Sequence, residues 1–156
     1  MIGRGRPYTL DRQQLVPLTP TETFEFFADP FNLEAITPPW LAFEVGTPAP
    51  IPMGAGTLIE YRLKLHAVRI RWLTCIEEWE PGRRFTDRQL RGPYRVWHHR
   101  HTFVAHEDGT VVRDLVRYAL PLGPVGRLVH AAVVCRDLHR IFDFRRDAVA
   151  ARLGTR

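Results

Sequence analysis

The sequence predicts an α+β domain: a curved antiparallel sheet of about seven strands wrapped around a long C-terminal helix, with two short helices after the first strand. Three observations carry this. From Leu41 to Leu120 successive runs alternate apolar and polar residues, separated by turn residues. After Pro121-Leu122-Gly123-Pro124 the apolar positions switch to steps of three or four. Behind the first strand, two helix starts follow in tandem, at Thr19-Pro20 and Asp29-Pro30.

Taken in order, residues 8–16 form the first strand, where Thr9, Leu10, Leu15 and Val16 flank a polar centre. Thr19 opens a helix with Pro20 in its first turn and Glu22 three positions on, and Phe24, Phe26 and Phe27 give it an apolar face up to Ala28. Asp29 opens a second short helix through Phe31, Leu33 and Ile36, which Pro38 and Pro39 end. Six strands follow, at 43–45, 58–65, 68–79, 84–90, 94–105 and 111–120. Glu80-Pro81-Gly82, Gly92-Pro93 and Glu107-Asp108-Gly109 are turn chemistry, His66-Ala67 is a tight turn, and the Pro- and Gly-rich stretch 47–56 is a longer loop, a lid or a rim. Val125, Leu128, Ala132, Cys135, Leu138, Phe142 and Val149 then trace one face of a helix of about 28 residues, roughly 42 Å long.

The 156 residues fit one domain, 1–156, large enough to enclose a core and an internal pocket. Lys and Arg number 22 against 17 Asp and Glu, yet Lys64 is the only lysine. The Arg excess resembles the codon bias of a high-GC bacterium, and its even spread indicates a solvated surface rather than a nucleic-acid site. Cys75 and Cys135 share no metal-ligand spacing, so they are expected to be reduced, mostly buried small side chains. No apolar segment follows Met1 and no run of about 18 apolar residues exists, so the expectation is a cytoplasmic protein without membrane insertion.

The chemistry concentrates between Phe85 and Asp114. Residues two apart share a strand face, so Phe85, Asp87 and Gln89 form one row and Trp97, His99, His101 and Phe103 the next, while His98 points the other way. A turn at Gly92-Pro93 places Asp87 near His99 and Gln89 near Trp97, and a turn at Glu107-Asp108-Gly109 brings Asp114 opposite His101. Two histidines, two aspartates and a glutamine are unusual on an inward face. The face is therefore expected to wall a cavity, with Ile59, Tyr61, Leu63, Trp72, Trp97, Phe103 and Tyr118 on the sheet side, Leu138 and Phe142 on the helix side, and Gln89, His99 and His101 as polar anchors. For each aromatic the competing reading is ordinary core packing.

The order of elements is the helix-grip arrangement, and the chain resembles the START-like (SRPBCC) superfamily, in particular its bacterial polyketide cyclase/dehydrase-like ligand-binding branch. The matching pieces are Pro30-Phe31-Asn32-Leu33, Thr37-Pro38-Pro39-Trp40, Trp79-Glu80-Pro81, Phe85-x-Asp87-x-Gln89, Gly92-Pro93-Tyr94-x-x-Trp97-x-His99-x-His101-x-Phe103, Asp114-x-Val116-x-Tyr118-x-Leu120-Pro121 and Ile141-Phe142. The resemblance spans nearly the whole chain. It implies a cavity between sheet and C-terminal helix that holds a small hydrophobic molecule, aromatic, polyketide-like or lipid-like. It does not decide between binding and catalysis, because one scaffold carries both.

Three roles stay open for the histidines. His99 and His101 with Asp87 or Asp114 have the residue types of a metal site. The same carboxylates can instead satisfy the imidazole N–H groups, and no metal or organic cofactor is assigned. As a polyketide cyclase or dehydratase, the alternative to a binder, the protein would use His99 or His101 as general base, with Asp114 or Asp87 orienting the ring. Serine hydrolysis is excluded because the chain contains no serine, and no dinucleotide or phosphate-loop motif occurs. The expected partner is a small hydrophobic ligand, with a homodimer also open and no nucleic acid.

Overall fold

The computed structural model describes residues 6–154. Seven strands form one antiparallel sheet in the order β1-β7-β6-β5-β4-β3-β2: β1 (Tyr8–Val16), β2 (Glu44–Val45), β3 (Leu58–Leu65), β4 (Val68–Glu80), β5 (Arg84–Arg91), β6 (Val96–His106) and β7 (Gly109–Ala119). All but one neighbouring pair join strands consecutive in the chain, and β1 closes the far edge by pairing along its length with β7, from Tyr8↔Tyr118 to Val16↔Thr110. The β4–β5 pairing has two register shifts, one between Leu73 and Thr74 and one between Ile76 and Glu78. An extra residue on one strand increases local twist and bends the ladder.

Between β1 and β2 lie α1 (Pro20–Ala28) and α2 (Pro30–Ala35), both started by the chemistry expected. The Thr19 hydroxyl accepts from the Glu22 N–H while the Glu22 carboxylate accepts from the Thr19 N–H, a complete capping box. The Asp29 carboxylate accepts from the Phe31 N–H and starts α2. The inward face of α1 then buries Phe24, Phe27 and Ala28 against Phe85, Phe103, Val112 and Val149. Phe24 makes edge contacts with Trp79, Phe85 and Phe103, a geometry favoured by the ring quadrupoles.

The C-terminal helix is longer than its apolar spacing indicates and is not regular. α3 (Gly123–Val129) runs through a π-turn (His130–Val134) into α4 (Cys135–Leu153). The single-turn bulge resets the phase of the helix, so the periodicity read from Val125 onward holds only in α4, where Leu138, Phe142 and Val149 are buried; Val125 and Leu128 are exposed. The sheet holds α4 from both sides: Arg12 on β1 donates to Asp143 at 2.7 Å, and His66 at the tip of the β3–β4 hairpin meets Asp137. Cys75 and Cys135 are free thiols of intermediate exposure rather than mostly buried, because alternation puts Cys75 on the sheet face opposite Thr74 and Ile76, and Cys135 lies at the end of the π-turn. None of the described helices is long and apolar enough to cross a membrane.

At the β6–β7 turn, Gly109 has φ 140° and approaches the end of β1 so closely that a Cβ there would lie 2.1 Å from the Val16 carbonyl oxygen. Only glycine lets the hairpin pack against the β1–α1 connection.

Candidate functional site

A cavity of about 170 Å³ lies between the concave sheet face, α2 and α4. Strand alternation supplies its floor. Ile59, Tyr61 and Leu63 come from β3, Trp72, Thr74 and Ile76 from β4, Phe85 and Asp87 from β5, and Trp97, His99 and His101 from β6. Leu138, Ile141, Phe142 and Arg145 come down from α4, Leu33 from α2, and Met53 from the loop before β3, which forms a rim. Most of this wall is aliphatic or aromatic, and its charged groups are a patch on the sheet and Arg145.

That patch is a four-residue His–Asp cluster across β5, β6 and β7. The backbone register pairs Asp87 with His99 and His101 with Asp114, as the turn spacing predicts. The hydrogen bonds cross it diagonally. His99 Nε2 bonds Asp114 Oδ1 at 2.8 Å and His101 Nε2 bonds Asp87 Oδ2 at 2.8 Å. The histidine side chains are 5 % and 4 % exposed, and their ring centroids lie 3.8 Å apart. His101 also stacks on Phe85, with 4.1 Å between centroids. Its Nδ1 lies 3.0 Å from Asp114 Oδ1 but out of line for a hydrogen bond, which leaves that buried nitrogen without one.

Burial acts on all four groups, and the neighbours decide the outcome. Burial pushes both carboxyls up, but for Asp87 the two histidines and Arg145 outweigh it, and for Asp114 Arg145 and the two histidines hold the group well below the usual carboxylate range. Burial also disfavours the charged imidazoles. His101, bonded to or touching both carboxylates, overcomes this and its pKa is raised. His99 does not: burial, reinforced by the nearby His101 charge, lowers its pKa in spite of Asp87 and Asp114. The pair is therefore uneven: His101 holds its proton more tightly than His99 does. An ionised Asp114 can only accept, so whenever His99 is neutral its proton sits on Nε2 and Nδ1, 3.8 Å from Asp87 Oδ2, carries the bare lone pair.

Asp87, His99 and His101 can each offer one ligand atom, all within 4.8 Å of one another, residue types suited to a small divalent ion. The crossed hydrogen bonds use much of the same donor and acceptor capacity. The chemistry open to the cluster is proton transfer at His99 Nδ1 and electrostatic support from His101.

Of the residues expected on the wall, Tyr61, Trp72, Asp87, Trp97, His99, His101, Leu138 and Phe142 lie on it, and Asp114 stands behind the histidines. Gln89, Phe103 and Tyr118 do not line it. The β5–β6 pairing ends at Arg88↔His98, so Gln89 does not face Trp97; its side chain instead donates to the Tyr94 carbonyl and accepts from the Tyr94 N–H, clamping the Gly92-Pro93 turn. Phe103 is packed among Phe24, Phe27 and Phe85 in the α1 core. The Tyr118 hydroxyl is turned to His130 Nε2 at 2.8 Å in the π-turn, and Tyr8 stacks on that same imidazole. His98 points outward and meets Glu77, as alternation requires. Arg145, Tyr94, Leu33 and Met53 also line the cavity, and the sequence does not mark them as wall residues.

The family described as polyketide cyclase/dehydrase and lipid transport matches residues 8–154. No curated protein sequence matches the chain. Among solved structures, the Zhui aromatase/cyclase from Streptomyces sp. R1128 superposes with a TM-score of 0.71 at 15 % identity, covering 94 % of this chain and 93 % of that one. TTHA0849 from Thermus thermophilus gives 0.71 at 18 % identity, covering 92 % and 98 %. CV1439 from Chromobacterium violaceum gives 0.74 at 12 % identity, covering 95 % and 98 %. At these identities the likeness establishes the fold.

Proposed function

The chain belongs to the polyketide cyclase/dehydrase and lipid transport family, and from that premise we propose that its cavity binds a small hydrophobic molecule of aromatic, polyketide-like or lipid-like character. The observation that carries this is the wall itself: an apolar and aromatic lining with its ionisable groups gathered on one patch and on Arg145. Such a site holds a molecule by burial of apolar surface and orients it by one polar end. Trp72 and Trp97 stand on the wall in edge-to-face contact, 5.2 Å between centroids, so their fluorescence reports occupancy. Native mass spectrometry of the purified protein, with extraction of any retained compound, is the direct test. A defined hydrophobic adduct that is lost in Trp97→Ala supports the reading. A clean apo mass, with no saturable tryptophan quenching by a panel of naphthols, fatty acids and aromatic polyketides, overturns it.

The split ionisation of the histidines favours a second reading, a cyclase or dehydratase. In it His99 Nδ1 takes the proton from the carbon between two carbonyls, and charged His101 stabilises the enolate that forms. The cavity supplies the fold of the chain that brings nucleophilic carbon and carbonyl together. Under that reading His99→Ala abolishes turnover of a poly-β-ketone substrate while retaining the fold; under the first it changes affinity alone. In either case the protein works as one domain in the bacterial cytoplasm, with reduced cysteines, on a small molecule and without nucleic acid or built-in cofactor.

A further inference from the structure

Arg145 is the cavity residue whose surroundings least account for it. It extends from α4 on the same side as Leu138, Phe142 and Val149, a stripe that is otherwise apolar. Its Nε is buried and makes no hydrogen bond. The guanidinium lies 5.6 Å from the ring centroid of Phe27 and 5.8 Å from that of Phe142. Neighbouring Arg146 meets Asp143 and Asp147, and Arg12 meets Asp143, but Arg145 forms no ion pair among the described residues. Asp87 and Asp114 act on it only through space, with no hydrogen bond or ion pair joining either carboxylate to it. Aromatic faces attract the cation without using its in-plane N–H donors. A guanidinium N–H taken out of water without an acceptor is costly unless a ligand group reaches it.

We propose that Arg145 is the anchor for a carboxylate on the bound molecule, so that the cavity selects an aromatic or lipid-like acid over its neutral analogues. The inference rests on the cavity-binding reading and adds the charge of the ligand to it. The planar fork of arginine matches a carboxylate through two parallel hydrogen bonds, and Phe27 and Phe142 hold that fork in place beside the apolar wall where the hydrocarbon part would lie. Arg145 also borders a smaller cavity of about 80 Å³, with Arg12, Gln14 and Asp114.

The test compares 2-naphthoate with 2-naphthamide, nearly equal in shape and different in charge, by tryptophan quenching and calorimetry at neutral pH. Wild type is expected to bind the carboxylate about 10- to 100-fold more tightly, the range of one or two buried charge-assisted hydrogen bonds. Arg145→Met is expected to equalise the two by weakening naphthoate and leaving naphthamide unchanged. Equal affinities in wild type, or a preference that survives in Arg145→Met, overturn the assignment while the cavity-binding reading stands. Binding of neither probe overturns both. If Arg145→Met does not fold, Arg145→Gln decides: loss of the preference supports the anchor, and its persistence refutes it.

Discussion

Replacing Asp114 by Asn keeps the size of the side chain and removes its charge from the centre of the His–Asp cluster. Asp114 Oδ1 receives His99 Nε2 at 2.8 Å and lies 3.0 Å from His101 Nδ1, and the three side chains are 13 %, 5 % and 4 % exposed. Losing one member of a buried charge pair costs about 3–5 kcal/mol, and a retained amide acceptor places this case at the lower end, about 3 kcal/mol. For a domain of this length that is a fall in Tm of roughly 6–12 °C, or with a urea slope near 2 kcal/mol/M a midpoint shift of about 1.5 M. The effect has a pH window. Asp114 titrates well below its ordinary value, so its contribution is present above about pH 3.8 and is lost as pH falls through the folded value. His101 is raised above 6.5, so its charge supports the fold fully below that pH and the support is lost as pH rises through its folded pKa. The deficit of Asp114→Asn is therefore largest between about pH 4 and 6.5 and shrinks toward pH 9. Urea denaturation at pH 6 and pH 9 measures it, with Asp11→Asn as control, since Asp11 holds Arg113 in a solvent-exposed pair one strand away. A loss under about 1 kcal/mol at pH 6, or an equal loss at both pH values, would show that no buried charged network exists.

The imidazole nitrogens provide a direct view of the same split. NMR titration is expected to find His101 half-protonated above pH 6.5 and His99 below it, with the His99 proton on Nε2; two histidines titrating together near 6.5 would refute the assignment. Gly109→Ala should destabilise by about 2 kcal/mol or more, because the added Cβ would meet the Val16 carbonyl at 2.1 Å, and thermal melting near the wild-type value would show that the β1 end yields freely. Gln89→Ala should cost about 1–2 kcal/mol by releasing both hydrogen bonds to Tyr94, without changing ligand affinity more than about twofold; a selective loss of binding instead would return Gln89 to the cavity wall.

How much of the molecule is legible in the sequence depends on whether local chemistry or three-dimensional closure sets each feature. Thr19 and Asp29 announce their helices because caps and prolines act within a few residues. The register that brings Asp87 to His99 and Asp114 to His101 follows from turn positions and strand alternation. What alternation cannot supply is depth. It puts Gln89, Trp97, Phe103 and Tyr118 on inward faces, yet sheet curvature and α1 bury Phe103 in a second core, and the π-turn brings His130 to the Tyr118 hydroxyl. A π-turn adds a residue to one helical turn without altering composition, so nothing in the spacing from Val125 to Val149 marks it except that the outer part of the stripe is exposed.

Arg145 shows the same limit from the other direction. In the apolar series Leu138, Phe142 and Val149, the interval after Phe142 skips one helical step, and the residue that fills it on the inward face is an arginine among 21 in the chain. By composition it is one more surface cation. By phase it belongs to the stripe that faces the sheet, where a charge needs a reason to be present. The His–Asp cluster provides part of that reason: Arg145 and the two histidines together hold its two carboxyls below their ordinary range. Through-space balance still leaves the buried Arg145 Nε without a hydrogen bond. A cation retained for charge balance alone would be replaceable by lysine with little effect on ligand preference, whereas one that receives a carboxylate through its planar fork would not, and Arg145→Lys separates the two roles by the naphthoate-to-naphthamide affinity ratio.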